Sequence, residues 1–136
     1  MDAAGRTILV IDDDPDVHDA VRLVLEADGY TVEGAVTAAA GLDAARRLVP
    51  AAILLDIMLD TPMEGFAVAR ALRNSPSHAN TPLIFISSIG EAAWREQAEE
   101  AGFSLGAADG FVEKPFDAAT LLQAVRQASA GGAKSS

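Results

Sequence analysis

The stretch Ala52-Ile53-Leu54-Leu55-Asp56-Ile57-Met58 decides the fold. Four apolar residues that can fill a strand run into a carboxylate and then into more apolar residues. A short continuous apolar run suits a strand buried on both faces, as in a parallel sheet, and by pattern alone it also suits a buried helix. A charge at the end of such a run is costly unless it sits at the strand's mouth, where water, a metal or a ligand can reach it. In open α/β sheets the ligand crevice lies outside the carboxyl ends of the strands. Asp56 is therefore a candidate for delivery to a site. Standing alone it would read equally well as a solvated Asp capping the next turn.

Working outward, similar runs flank it on both sides. Thr7-Ile8-Leu9-Val10-Ile11 is a β-rich run ending in Asp12-Asp13-Asp14, and Asp14-Pro15-Asp16 opens a helix with a capping Asp, a first-turn Pro and an early acid. Val17, Val21, Val24 and Leu25 share one helical face, and Gly29 is a natural stop. Tyr30 to Ala35 reads as a second strand, and Thr37 caps an Ala-rich helix to Leu48 with Leu42 and Ala45 inward. After the Asp56 strand and the turn Asp60-Thr61-Pro62, a helix is expected from about Glu64 to Arg73 and a polar loop from Asn74 to Pro82. Leu83-Ile84-Phe85-Ile86 is a fourth buried run, ending in Ser87-Ser88. Glu91 to Ala101 is a weakly amphipathic helix carrying Trp94, stopped by Gly102. Gly110-Phe111-Val112 is a short fifth strand leading into Glu113-Lys114-Pro115-Phe116, and Asp117 caps a last helix with Leu121, Val125 and Ala128 in register. Strand and helix alternate five times without a hairpin signal, which predicts one parallel sheet with helices on both faces. The expected boundaries are a disordered lead at 1–6, one folded domain at 7–129 and a flexible Gly/Ala/Ser-rich tail at 130–136.

Composition narrows the function classes. With 136 residues the chain has room for one domain with a full core. Half of it is hydrophobic, too much for a disordered acidic tail. No apolar run approaches the ~20 residues of a membrane span, so no membrane association is expected. The absence of cysteine excludes disulfides, thiolate metal sites and a Cys nucleophile, and suits the cytoplasm. A net charge of −10 argues against nucleic-acid binding by this domain, because phosphate contacts dominate that affinity.

Each strand's carboxyl end can be inspected for chemistry. The first strand delivers Asp12 and Asp13, the third Asp56, the fourth Ser87 and the fifth Lys114. Each has a bland alternative: an acidic helix start, a turn serine, an exposed lysine. All landing on one edge of one sheet is a different matter. Three carboxylates in one crevice repel one another unless a cation neutralises them. Hard oxygen ligands without His or Cys point to Mg²⁺. A carboxylate nucleophile, a metal, a lysine and a hydroxyl together make a phosphoryl-transfer site.

The runs ending in Asp12-Asp13-Asp14-Pro15, Leu54-Leu55-Asp56-Ile57-Met58, Pro82 to Ser88 and Asp109 to Phe116 closely resemble the receiver domain of two-component response regulators, from about Thr7 to Ala128. The resemblance implies a flavodoxin-like (CheY-like) three-layer sandwich, with a five-stranded parallel sheet of order 2-1-3-4-5 and five helices. It implies that Asp56 accepts phosphate from a histidine kinase or histidine phosphotransfer protein, in a protein that catalyses only its own phosphorylation and dephosphorylation. Asp13, Asp56 and the Met58 backbone carbonyl would hold Mg²⁺, with Asp12 acting mainly through a metal-bound water. Ser87 would contact the phosphoryl group, Phe111 would change rotamer with it, and Lys114 would pair with Asp56 and then with the phosphate. The Lys114-Pro115 bond would be cis. The face made by the fourth helix, fifth strand and fifth helix (the α4-β5-α5 face) would switch toward an output domain or effector protein, or toward a homodimer partner.

Two stretches depart from the family pattern. Asp60 stands where the family usually has Pro, with Pro62 and Gly65 later, so this loop is one residue longer; Gly102 to Ala108 is also extended. Two other readings compete. A degenerate receiver would serve as an unphosphorylated interaction module. A haloacid dehalogenase-type phosphohydrolase uses the same parts, but needs a second acid two residues after its nucleophile, where this chain has Met58. His18 and His78 show no ligand spacing and are expected at the surface.

Overall fold

Five strands and five helices alternate along the chain: β1 (Thr7–Ile11), α1 (Pro15–Ala27), β2 (Thr31–Ala35), α2 (Ala38–Leu48), β3 (Ala52–Asp56), α3 (Glu64–Arg73), β4 (Leu83–Ser87), α4 (Glu91–Glu100), β5 (Gly110–Glu113) and α5 (Ala118–Lys134). The computed structural model describes residues 6–57, 59, 64–100, 102 and 109–134. All strands are parallel, in the order β2-β1-β3-β4-β5. This is the expected flavodoxin-like topology.

The continuous apolar runs have a direct structural cause. Every residue of β1, β3 and β4 is buried, because these three central strands are covered on both faces. Alternate residues divide between two cores. Leu9, Ile11, Ile53, Leu55, Leu83 and Phe85 point to the side of α2, α3 and α4, meeting Ala45, Phe66, Leu72 and Trp94. Ile8, Val10, Leu54, Ile84 and Ile86 point to the side of α1 and α5, meeting Val21, Leu25, Leu121 and Val125. The edge strands β2 and β5 are only partly buried.

Local chemistry starts and stops the helices. The Asp14 carboxylate accepts the Asp16 N–H at 2.9 Å with Pro15 opening α1, and Thr37 Oγ1 accepts the Ala40 N–H at 3.1 Å at the head of α2. Asp117 Oδ1 accepts the Thr120 N–H at 2.7 Å before α5. Gly29 follows α1 at φ +92°, a left-handed conformation that glycine adopts without a Cβ penalty.

Three expectations need correction. Arg6 is not part of a loose lead: its guanidinium donates to the Gly29 and Asp28 carbonyls at 3.0 and 2.9 Å and lies 4.6 Å from the Tyr30 ring centroid. The last helix continues through Gly131 and Gly132 to Lys134, past the boundary expected at 129. His18 and His78 are buried, with 8% and 1% of their surface exposed. Trp94 is 5% exposed and belongs to the core.

Candidate functional site

The strand order puts the site together. From β1 the chain goes outward to β2, then crosses back to β3 on the other side of β1, so the carboxyl ends of β1 and β3 lie side by side at the topological switch point. Ile11 pairs with Leu55, and the next residue on each strand is a carboxylate, Asp12 and Asp56. Carboxylate oxygens of Asp12, Asp13 and Asp56 all lie within 4.8 Å of one another. Asp12 and Asp56 are the buried carboxylates among the described residues, whereas Asp13 is exposed. Burying two acids together is expensive unless positive charge accompanies them.

Lys114 supplies part of that charge. It follows β5, and its backbone N–H donates to the Ser87 carbonyl at 2.7 Å, fixing the chain's exit from the sheet beside β4. The Lys114-Pro115 bond is cis, as the resemblance implied. Its Nζ lies 2.9 Å from Asp12 Oδ2 and 3.3 Å from Asp56 Oδ2. Burial alone would lower the lysine's pKa, but the hydrogen bond to Asp12 and the charges of Asp56 and Asp12 outweigh it and hold the ammonium above its ordinary range. One ammonium against three carboxylates leaves a cluster of hard oxygen donors that suits a divalent cation such as Mg²⁺. The donor set fits that ion. Met58, whose carbonyl was the remaining expected ligand, lies outside the described residues, as does Asp60.

Residues 8–126 match the response regulator receiver domain. The chain belongs to this family. Receivers act in two-component signal transduction and in general depend on Mg²⁺. This receiver is 39% identical over 119 residues to the DNA-binding dual master transcriptional regulator RpaA of Synechocystis sp., covering 88% of this chain and 47% of that protein. It is 31% identical over 124 residues to an uncharacterised 14.6 kDa protein of Leptolyngbya boryana, covering 91% of this chain and 90% of the relative. The chain thus spans about half the length of RpaA. Among solved structures, a CheY-like response regulator receiver domain protein from Methanospirillum hungatei superimposes with a TM-score of 0.80 at 26% identity, covering 96% of this chain and 98% of that one. Among the described residues no helix is long and apolar enough to cross a membrane.

The remaining expected site residues flank the receiver's acidic cluster. Ser87 ends β4, fully buried, one residue beyond the Asp56–Ile86 pair, and its Oγ accepts the Ile89 N–H at 3.1 Å. Phe111 pairs with Phe85 across β4 and β5, and its ring lies 4.9 Å from that of Trp94. Trp94 in turn sits 5.6 Å from Phe85, which sits 5.4 Å from Phe66. An aromatic column therefore runs from Phe111 into the core. A cleft of about 320 Å³ opens beside Lys114, between Asp14, Val17 and Ala20 on one side and Pro115 and Phe116 on the other.

His18 is a functional candidate missed from the sequence. Its Nε2 lies 2.6 Å from the backbone carbonyl oxygen of Asp12. A signal existed: His18, Val21 and Leu25 fall at i, i+3 and i+7, the same inward stripe.

Proposed function

We propose that Asp56 is a phosphoacceptor, taking a phosphoryl group from the phosphohistidine of a histidine kinase or histidine phosphotransfer protein. What carries this reading is the Asp12–Asp13–Asp56 cluster within 4.8 Å, closed by Lys114 at 3.3 Å from Asp56. An Asp56 carboxylate oxygen attacks phosphorus; a P–O bond forms as the P–N bond breaks, and the imidazole leaves with the electron pair. Little covalent chemistry is asked of the protein, so positioning and charge neutralisation dominate. Asp13 and Asp56 would hold Mg²⁺ directly and Asp12 through water; when bound, the ion would neutralise charge on the transferring phosphoryl oxygens. Lys114 orients Asp56 beforehand and pairs with the new phosphate oxygens afterwards.

The readout runs through the other side of the site. Ser87, whose Oγ accepts from the Ile89 N–H, still has its O–H free to donate to the phosphoryl group, and Phe111 turns inward as Ser87 moves toward it. The α4-β5-α5 face then changes shape toward an output domain, an effector protein or a second copy. A ligand biases two states only by its differential interaction with them, and the phosphoryl group supplies that difference at Ser87 and Lys114.

Incubation with acetyl phosphate and Mg²⁺ tests the assignment, since the receiver itself supplies the site. Intact-mass spectrometry should find one added phosphoryl group on wild type and none on Asp56→Asn. Equal labelling of the mutant would refute the phosphoacceptor.

A further inference from the structure

His18 and Gly34 form a pair beneath the acidic cluster that the phosphoacceptor chemistry does not use. The His18 ring is 8% exposed, and its Nε2 meets the Asp12 carbonyl at 2.6 Å. A carbonyl only accepts, so Nε2 carries the proton and donates. The opposite ring nitrogen lies over Gly34 of β2, where a Cβ would stand only 2.4 Å from Nδ1. A glycine inside a strand weakens it and marks a close approach; here the imidazole makes that approach.

This contact matters because of what the Asp12 carbonyl belongs to. Its peptide plane includes the nitrogen of Asp13, so its orientation sets where the Asp13 side chain begins. The Asp12 N–H is held by the Ala35 carbonyl at 3.0 Å, and Asp12 Oδ1 by the Asp14 N–H at 2.9 Å. Asp12 Oδ2 faces Lys114 at 2.9 Å. His18 closes the remaining degree of freedom, the carbonyl. Asp13, by contrast, is exposed, so its direction depends on the backbone that carries it.

We propose that His18, seated in the gap left by Gly34, is a positioning residue that aims Asp13 at the divalent cation by anchoring the Asp12–Asp13 peptide. This rests on the phosphoacceptor reading of the cluster. Residues that orient metal ligands are typically worth about tenfold to a hundredfold in metal affinity. Calorimetric titration of Mg²⁺ into the full chain is the measurement, with the unfolding midpoint taken on the same samples. His18→Leu should lose Mg²⁺ affinity on that scale while still unfolding cooperatively. His18→Gln, whose amide N–H can donate to the same carbonyl, should recover most of it. A purely structural role predicts no such rescue, and unchanged affinity in His18→Leu would overturn the proposal. Should His18→Leu fail to fold, Gly34→Ala poses the same question by displacing the ring. Its Mg²⁺ affinity should fall in wild type but fall no further in a His18→Ala background, whereas additive losses would overturn the coupling. A wild type that takes up no Mg²⁺ would overturn the cation site itself, a failure distinct from a wild type that binds it and mutants that bind it equally.

Discussion

The two sides of the site are built differently. On the β1–α1–β3 side both strands are wholly buried, α1 is capped by Asp14 and stopped by Gly29, and Asp12 is held through its N–H, its carbonyl and its carboxylate. On the β4–α4–β5 side the edge strand is only partly covered. Among the described side chains of α4, Trp94 and Ala98 are the ones buried. One side is suited to holding charges in place, the other to moving at low cost. Local stability follows buried apolar contact, so a switch is expected to draw on the weaker side.

The largest test of this contrast is a pair of core truncations. Leu54→Ala, in the middle of the fixed side, should cost about 2–5 kcal/mol of unfolding free energy by chemical denaturation. Trp94→Phe, which keeps an aromatic against Phe111, should cost roughly 1 kcal/mol. It should leave acetyl phosphate labelling intact. Comparable costs would mean that α4 is as firmly held as the central strands.

Metal affinity sharpens the roles within the fixed side. Asp13→Asn should weaken Mg²⁺ binding on the order of a hundredfold, since the proposed role makes Asp13 a direct ligand. Asp12→Asn should weaken it on the order of tenfold, since the proposed role makes its contact water-mediated. A reversed ranking would exchange their roles.

The β4–α4–β5 side has its own reporter. Trp94 fluorescence should change when Mg²⁺ and beryllofluoride are added to wild type, because its ring packs on Phe111, and should stay flat in Asp56→Asn. Lys114→Ala should still bind the mimic but show a smaller change. A flat wild-type signal with binding confirmed independently would place the switch elsewhere.

The smallest effect concerns His78, buried outside the site in the α3–β4 loop. Burial and the positive charge of Arg46 hold its pKa below 6.5. A histidine held neutral in the fold is protonated more readily in the unfolded chain. Stability is therefore full above about pH 6.5 and declines as pH falls below it toward the depressed folded value. His78→Leu should flatten that acidic slope in thermal unfolding without altering phosphorylation, and an unchanged slope would assign the dependence to another group.

Much of this was legible in the chain itself. Five apolar runs alternating with helical periodicity, punctuated by Asp14-Pro15, Thr37, Gly29 and Asp117, determine a parallel α/β sheet, because backbone geometry and capping act over a few residues. The same runs locate Asp12, Asp13, Asp56, Ser87 and Lys114 at strand ends, since a charge following a buried run marks its mouth. What only the tertiary structure decided depends on neighbours far along the chain. The 2.9 and 3.3 Å contacts of Lys114 arise from a strand order that local pattern does not encode. Trp94, on α4, is buried because Phe85 and Phe111 arrive from β4 and β5 to cover it. Arg6 is ordered by a turn twenty-two residues away, at Asp28. His18 turns from an expected surface residue into a partner of the Asp12 carbonyl because Gly34, on a strand paired beside β1, has no Cβ to collide with its ring. Burial of a polar side chain is favourable only where a partner awaits it, and that partner is a property of the assembled fold.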